Sequence, residues 1–281
     1  MRTQSEIQSE IQSQLTEAVR AENQNESARW TYAIIKETWL SRAPRAMAEL
    51  ATFLIASVMV ITSFLYFNNI EGAATLMAAS GAAVFEKHEY WRLWTALFAH
   101  ADVKHLLSNL VLFVPLAYLL IGYFRLWLFP VLGFALGGLI NWITVSSLPS
   151  QVSLVGVSGV VYWMGAAWLT LYLLINTRES FRRRLGKALV IAVLLFFPTT
   201  FEPQVSYMSH FLGFAFGVPS AALYYVIERK KIIAAEKLEF IEEVEFDNDN
   251  ENELVVLVQD KALNQDSHAG ASGVPSCVAC G

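Results

Sequence analysis

The sequence predicts an all-α polytopic membrane protein with six transmembrane helices and a polar extension at each end. Hydrophobic residues make up 55% of the 281 residues and charged residues only 16%, and the mean hydropathy is +0.41. This balance lies well outside that of a soluble domain. The charged residues are concentrated in residues 1–45, a few short connections and residues 228–266, and the net charge of −5 comes chiefly from the acidic run from Glu236 to Glu253. It does not indicate a nucleic-acid-binding protein.

Six apolar runs approach the length of about 20 residues that a helix needs to cross a bilayer. They lie at residues 50–67, 105–124, 126–147, 152–175, 186–201 and 205–227. The fifth run is short and contains Pro198, so we expect it to be the most tilted or mobile. The predicted organisation is an N-terminal extension at 1–46, a six-helix domain at 47–228 and an acidic C-terminal tail at 229–281.

The basic residues predict the orientation of these spans, because Lys and Arg in short loops are retained on the cytoplasmic side. The segments predicted to lie inside contain Arg42, Arg45, Arg125, Arg178, Arg182, Arg183, Arg184, Lys187, Arg229, Lys230 and Lys231. The segments predicted to lie outside contain Lys87, Arg92 and Lys104. We therefore expect both termini to be cytoplasmic. The polar first 45 residues do not predict a cleavable signal peptide.

Polar side chains inside the spans point to a functional site, because polar groups within a bilayer need partners or a function. Ser158 lies in the run GVSGVVYWMG and His210 in the run SHFLGFAFG. At a rise of 1.5 Å per residue, Ser158 is expected about 9 Å, His210 about 10 Å and Asn109 about 8 Å below the outer ends of their spans. His100 and His105 lie just above that level. The shared depth on one face predicts a common site.

The chemistry available to these groups is acyl transfer. A serine hydroxyl is a weak nucleophile until a base such as imidazole accepts its proton. The spans after the first contain no Asp or Glu in their inner parts, and the nearest carboxylates, Asp102 and Glu202, belong to outer loops. We therefore expect a Ser/His dyad rather than a triad. Asn109, His105 and the backbone N–H of Ser158 are candidate donors to the oxyanion.

An ordered set of motifs over about 130 residues resembles the rhomboid family of intramembrane serine proteases. The motifs are WR at Trp91 and Arg92, H-x4-H-x3-N at His100, His105 and Asn109, G-x-S-G at Gly156 to Gly159, and H-x2-G-x3-G at His210, Gly213 and Gly217. A G-x-S-G motif alone is weak evidence, but the complete series in this order is specific.

The resemblance implies a role for each matched residue. Ser158 corresponds to the nucleophile and His210 to the general base, while His105 and Asn109 correspond to residues that bind the oxyanion. Gly156 and Gly159 flank the nucleophile. Tyr162 corresponds to an aromatic residue that packs against the catalytic histidine, and its helical spacing places it on the same face as Ser158.

The resemblance also implies structural roles. Gly213 and Gly217 correspond to small residues through which the sixth span packs tightly on the fourth. Trp91 and Arg92 correspond to a structural loop that is half-immersed in the outer leaflet. The short fifth span corresponds to the element through which substrate enters.

The substrates implied by the resemblance are transmembrane segments that are cut near the outer surface of a bacterial inner membrane, often beside a small residue. No cofactor is implied. A transmembrane helix must unwind locally before its carbonyl groups can react, so substrates with Gly or Pro near the cut are favoured. Water must reach Ser158, which predicts a polar cavity open to the outside.

Two other classes of protein are alternatives. In a transporter, His210, Asn109 and His105 would line a proton or solute path. No inverted repeat is detectable, however, and the polar level lies near one face rather than at the bilayer midplane. A non-catalytic rhomboid-like protein that binds transmembrane helices is expected to lack the serine or the histidine, and both are present here.

The tails lie outside the resemblance. Residues 237–246 and 253–258 are strand-like and flank DNDNEN, which predicts either a small hairpin or a disordered acidic segment. Cys277 and Cys280 form a CxxC that indicates half of a zinc site shared between two chains, a redox pair, or a tail without a role. In the N-terminal tail an apolar residue recurs every four positions, which predicts a narrow amphipathic helix that is solvated, self-associates weakly or binds a partner. These residues are Ile7, Ile11, Leu15 and Val19.

Overall fold

The computed structural model describes residues 13, 29–196, 206–246 and 253–260. The described residues form two compact units. The larger unit spans Glu37–Glu236, and the smaller unit combines residues 29–36 with the described part of the chain after residue 236.

The larger unit is helical. Its long helices are α1 (Met47–Phe67), α4 (Val103–Tyr123), α5 (Gly133–Ser146), α6 (Ser158–Ile175), α7 (Phe181–Phe196) and α8 (Tyr207–Ile233). The short helices α2 (Ala73–Met77) and α3 (Arg92–Thr95) lie in the connection between α1 and α4. Further short helical segments are Trp39–Ser41, Ile70–Gly72, Ala82–Glu86 and Trp127–Leu132, the last of which continues directly into α5.

Five helices of the described chain are long and apolar enough to cross a membrane. They are Met47–Phe67, Val103–Tyr123, Trp127–Ser146, Ser158–Ile175 and Tyr207–Ile233. The predicted all-α polytopic membrane fold is therefore confirmed. The predicted fifth span corresponds to α7, which has 16 residues and is not among the five. Residues 197–205, including Pro198, lie outside the described residues, so a sixth span stays a prediction.

Helix α6 lies at the centre of the bundle because it is apolar around its whole circumference. Trp163 and Met164 are fully buried, and Phe113 of α4 and Tyr224 of α8 belong to the same core. Helix α8 approaches α6 through glycine. A Cβ atom on Gly217 would lie only 2.5 Å from the carbonyl oxygen of Trp163. The two backbones are thus closer than any larger residue at that position would allow.

The connection between α1 and α4 is held together by Arg92, whose residue exposure is only 7%. Its Nε donates to Glu89 Oε2 at 2.6 Å, and its guanidinium also donates to the carbonyl oxygens of Ala78 and Thr75. Trp91, in contrast, is 52% exposed. Arg92 therefore links three separate points of this connection, while the adjacent Trp91 faces outward.

The smaller unit is a three-stranded sheet of order β1-β2-β3. Strand β2 (Lys237–Phe246) pairs antiparallel with β3 (Glu253–Asp260), from Glu239 opposite Asp260 to Phe246 opposite Glu253. Of the two alternatives for this segment, the hairpin is the one observed. Strand β1 (Arg29–Glu37) was not predicted, although its aromatic and β-branched residues are typical of strands. Cys277, Cys280 and the N-terminal apolar stripe lie outside the described residues.

Candidate active site

Ser158 is the first residue of α6, and its side chain is partly exposed. We expected a helix that starts near residue 152 and a serine about 9 Å inside it. That estimate is wrong, because residues 152–157 are not helical. Leu154 instead forms two backbone hydrogen bonds with Ala79, at 2.7 and 3.1 Å, and Gly156 adopts a φ of +120°. These contacts keep residues 152–157 out of the helix, which begins at Ser158.

This position gives Ser158 the electrostatic environment of a helix N-terminus. The first backbone N–H groups of a helix have no carbonyl partner within the helix. Here the N–H of Val161 bonds to the carbonyl oxygen of Val157 at 3.0 Å, so the preceding N–H groups have no earlier helical partner. They and the helix dipole stabilise negative charge beside the Ser158 hydroxyl.

His210 lies in the first turn of α8 and is only 7% exposed. Its imidazole stacks on the ring of Tyr162, with ring centroids 3.9 Å apart and an angle of 14° between the ring planes. Tyr162 follows Ser158 by one turn of α6. The Nε2 atom of His210 is buried and has no hydrogen-bond partner among the described residues. The hydrogen bond from Ser158 to His210 is therefore not formed in this structure.

His210 also lies closer to the start of its helix than we expected. Helix α8 starts at Tyr207, which places His210 about 5 Å from the helix start rather than about 10 Å. Ser158 and His210 therefore do not lie equally deep in their helices, because α6 begins at Ser158 itself and α8 begins three residues before His210. Contacts between helices, rather than equal depth, bring the polar residues together.

Glycine packing brings the segment around Ser158 against the segment around His210. A Cβ atom on Gly159 would lie 3.3 Å from the carbonyl oxygen of Ser209 and 3.0 Å from Ile140 Cγ2. A Cβ atom on Gly213 would lie 3.0 Å from the Cβ of Tyr162 and would overlap the carbonyl oxygen of Gly159. Close backbone contact on both sides therefore places the stacked His210 ring beside the first turn of α6.

His105 and Asn109 have different surroundings. A Cβ atom on Gly156 would lie 2.7 Å from His105 Cε1, so the imidazole lies directly against the segment before Ser158. Asn109 is 6% exposed, and its Nδ2 donates to the carbonyl oxygen of His105 at 2.9 Å. Since an amide nitrogen carries two hydrogens, one remains for another acceptor. The described residues that line the cavity beside Ser158 include His105 but not Asn109.

That cavity has a volume of about 750 Å³. Its lining includes Ser158, His105 and exposed residues such as Asp102 and Ser153, so it is open to the exterior of the bundle. The lining also includes three polar residues that we did not predict: Asn141, Ser206 and Ser209. Asn141 is a polar residue within a predicted span, as Asn109 is, so a search for polar side chains inside the spans would also have found it.

A second serine and histidine pair lies in the described chain. Ser63 Oγ of α1 is 3.0 Å from Nδ1 of His100, and both residues are completely buried. The His100 ring contacts the His105 ring edge-on, with centroids 5.2 Å apart. Burial is the main cause that lowers the pKa of His100 to about 3; His105 lowers it further, whereas Asp102 opposes the shift. His100 is therefore neutral near pH 7. We did not predict the contribution of Ser63.

Among the described residues, no three His, Cys, Asp or Glu side chains form a group that could hold a metal ion. The Cys277 and Cys280 pair is not included in this statement, because it lies outside the described residues.

The fold and the site together define a polytopic helical membrane protein in which a polar cavity reaches a serine at a helix N-terminus. The family model described as Rhomboid domain matches residues 87–227, which is half of the chain. The chain therefore belongs to the rhomboid family. Rhomboid-family proteins are serine intramembrane proteases that act on transmembrane substrates in the bilayer. The comparison with curated proteins gave no match.

Proposed function

We propose that this protein is an intramembrane serine endopeptidase that uses Ser158 as nucleophile and His210 as general base. Membership of the rhomboid family supports this class of activity. The observation that carries the proposal is the position of Ser158, which lines an open cavity of about 750 Å³ at the N-terminus of α6. His210 lies on the neighbouring helix α8, and its ring stacks on Tyr162, which follows Ser158 by one turn of α6.

The first step requires a base for the Ser158 proton. Nε2 of His210 has no hydrogen-bond partner among the described residues, so no other described group competes for the Ser158 proton at this atom. Catalytic hydrogen bonds are often long before the substrate binds and shorten in the reactive complex. In the proposed mechanism, His210 takes the hydroxyl proton as Ser158 Oγ bonds to the scissile carbonyl carbon. The stacked Tyr162 ring restricts the orientation of the imidazole while this occurs.

The carbonyl oxygen gains negative charge when the tetrahedral intermediate forms. The backbone N–H of Ser158 is one donor, since it lies at the start of α6. His105, which contacts Gly156, and the second amide hydrogen of Asn109 are the other proposed donors. The dipole of α6 favours the same charge.

Collapse of the intermediate breaks the C–N bond and leaves an acyl-enzyme on Ser158. His210 gives its proton to the departing amine. Water from the cavity then attacks the ester carbon while His210 takes a proton from that water. The ester C–O bond then breaks, and His210 returns that proton to Ser158 Oγ. The products are the released amine, a new carboxyl terminus and the restored Ser158 hydroxyl, so no cofactor is required.

The proposed substrates are transmembrane segments cut near the outer membrane surface. Their helices must unwind locally to expose a carbonyl group to Ser158, which favours Gly or Pro near the cut. The proposed location is the inner membrane of a bacterium, with six spans and both termini in the cytoplasm. The distribution of basic residues along the sequence supports this orientation.

The buried Ser63 and His100 pair does not favour a different nucleophile. Ser63 has no exposed surface, and its hydroxyl lies within hydrogen-bond distance of both His100 and the carbonyl oxygen of Phe98. A peptide carbonyl cannot reach Ser63 without disrupting the packing of α1. The cavity makes Ser158 accessible by comparison.

Labelling with a fluorophosphonate probe tests the proposal in membranes and in purified protein. Wild type and Ser153→Ala should be labelled, because Ser153 lines the same cavity without belonging to the proposed dyad. Ser158→Ala and His210→Ala should lose labelling. A transporter or a non-catalytic binder of helices would show no serine-dependent labelling in any variant. Labelling of Ser158→Ala at the wild-type level would disprove the proposed nucleophile.

A further inference from the structure

A second cavity lies at the opposite end of α6 from Ser158. Its volume is about 500 Å³, and it includes Asn176, the residue that follows the last turn of α6. Asn176 lies 18 residues after Ser158, about 27 Å along the helix axis, and Trp168, the lining residue of α6 nearest to Ser158, lies about 15 Å from it. The two cavities share no lining residue among the described residues. The second cavity is thus a separate site that the proposed protease chemistry does not use.

The lining of this cavity combines apolar and polar side chains. Three aromatic residues form one part, and the rings of Tyr123 and Trp168 are 6.0 Å apart. The aromatic residues are Tyr123, Trp168 and Tyr172. The polar part contains two hydroxyl groups, one amide and one guanidinium group, from Thr38, Ser41, Asn176 and Arg178. Such a composition matches a ligand with an apolar body and a polar head.

The charge of the lining is positive. Arg178 is the one charged residue among the described residues that line the cavity. A guanidinium group has five N–H donors, so Arg178 can bind an anion while it keeps a contact with the protein. A second cation lies nearby, because Arg42 follows the lining residue Ser41 and stands 4.6 Å above the ring of Trp39. The indole N–H of Trp39 donates to the carbonyl oxygen of Tyr123 at 2.8 Å, which ties this segment to the end of α4.

The position of the cavity indicates the source of the anion. Tyr123 ends α4 and Asn176 follows α6, and both helices have the length and composition to cross a membrane. The cavity therefore lies where the hydrocarbon layer meets the headgroups, the level at which Trp and Tyr are enriched. Phospholipids supply phosphate at this level, and Arg binds phosphate through paired hydrogen bonds.

We infer that this cavity binds the headgroup of an anionic phospholipid. Arg178 binds the phosphate, Ser41 and Asn176 donate further hydrogen bonds, and the glycerol and the first acyl carbons contact Trp168 and Tyr172. A volume of about 500 Å³ lies within the range of small-ligand sites. This inference does not depend on the proposed catalytic dyad.

Native mass spectrometry of the full-length protein in detergent tests the inference. The probes are dioleoyl phosphatidylglycerol and dioleoylglycerol, which has the same acyl chains without phosphate. Wild type should retain phosphatidylglycerol in preference to dioleoylglycerol. Arg178→Gln should lower the affinity for phosphatidylglycerol about tenfold, because the charge-assisted hydrogen bonds from the guanidinium group to the phosphate are lost. Tyr172→Leu should weaken the binding of both lipids, because it removes an aromatic contact with the acyl chains.

The matched control is Arg182→Gln, which removes an exposed cation of α7 that does not line the cavity. It should leave the occupancy unchanged. Because Arg178 is exposed, Arg178→Gln should fold, and it tests the inference even if Tyr172→Leu does not fold. The inference is overturned if Arg178→Gln binds phosphatidylglycerol like the control, or if dioleoylglycerol binds equally well. Displacement of the lipid by inorganic phosphate alone would also overturn it, because the site would then recognise free phosphate.

Discussion

The imidazole of His105 occupies the space that a side chain on Gly156 would need: a Cβ atom there would lie 2.7 Å from His105 Cε1. Gly156 also has a φ of +120°, where larger residues carry about 1–3 kcal/mol of strain. We therefore expect Gly156→Ala to displace His105 and to slow fluorophosphonate labelling at least about tenfold, since loss of one oxyanion donor costs about 10²–10³ in kcat. Labelling kinetics on purified protein measure this effect.

Gly186→Ala is the control for this substitution. Gly186 lies in α7, has no atom within 4 Å of its added Cβ and does not have a positive φ. Alanine should stabilise the helix by about 0.5–1 kcal/mol and leave labelling unchanged. Equal labelling rates for Gly156→Ala and Gly186→Ala would show that the close approach of His105 has no catalytic importance.

The stack between Tyr162 and His210 predicts a graded series at position 162. Phe keeps an aromatic ring 3.9 Å from the imidazole, whereas Leu does not. An aromatic pair contributes about 0.5–1.5 kcal/mol, so Tyr162→Leu should slow labelling about two- to tenfold relative to Tyr162→Phe. Thermal unfolding of both variants separates this effect from a loss of folded protein. If Phe and Leu are equivalent, the stack does not orient His210.

The hydrogen bond between Ser63 and His100 predicts strong coupling in a double-mutant cycle. Ser63→Ala leaves Nδ1 of a fully buried imidazole without this partner, and Nε2 is already unpaired among the described residues. The free energy of unfolding should fall by about 1–3 kcal/mol. Replacing both residues, as in Ser63→Ala with His100→Phe, should restore part of that loss because no buried imidazole is then left without a partner. Additive effects in denaturant titrations would contradict a direct interaction.

Burial of neutral His100 predicts that stability decreases in acid. Its pKa is lowered to about 3 in the folded protein, while an unfolded histidine has a pKa of about 6.5. Between these values the unfolded state binds more protons, so unfolding becomes easier as the pH falls through this window. The contribution of one such group approaches about 1.4 kcal/mol per pH unit. Unfolding measured from pH 7 to pH 4 should show a smaller slope for His100→Asn than for wild type; an unchanged slope would exclude His100 as the cause.

The contacts of Arg92 predict that lysine cannot replace it. A single ammonium group cannot reach Glu89 and the carbonyl oxygens of Ala78 and Thr75 from one position. Arg92→Lys should lower the free energy of unfolding by about 1.5–3 kcal/mol, the value for hydrogen bonds to a charged group. Lys87→Gln changes an exposed cation of the same connection and should stay within about 0.5 kcal/mol of wild type. Equal unfolding midpoints would argue against a structural role for Arg92.

The membrane helices were predictable because lipid demands apolar side chains and internally bonded backbone over a known length. The predicted span at 105–124 differs from α4 by two residues at one end and one at the other. The start of α6 was not predictable in this way. Residues 152–157 are as apolar as the helix that follows, but Leu154 forms backbone hydrogen bonds with the distant Ala79, and Gly156 donates one to Ala96. A hydropathy pattern cannot identify a hydrogen-bond partner that is distant in the sequence.

By itself, the sequence determined the class of fold, the order of the helices and the polar groups available to them. The family resemblance implied that Tyr162 meets His210, but only the tertiary structure showed that Gly156 meets His105 and that Ser63 meets His100. The physical reason is that residue spacing sets side-chain directions only within one helix. The register between helices depends on how closely their surfaces pack, and here glycines on α6 and α8 set that approach.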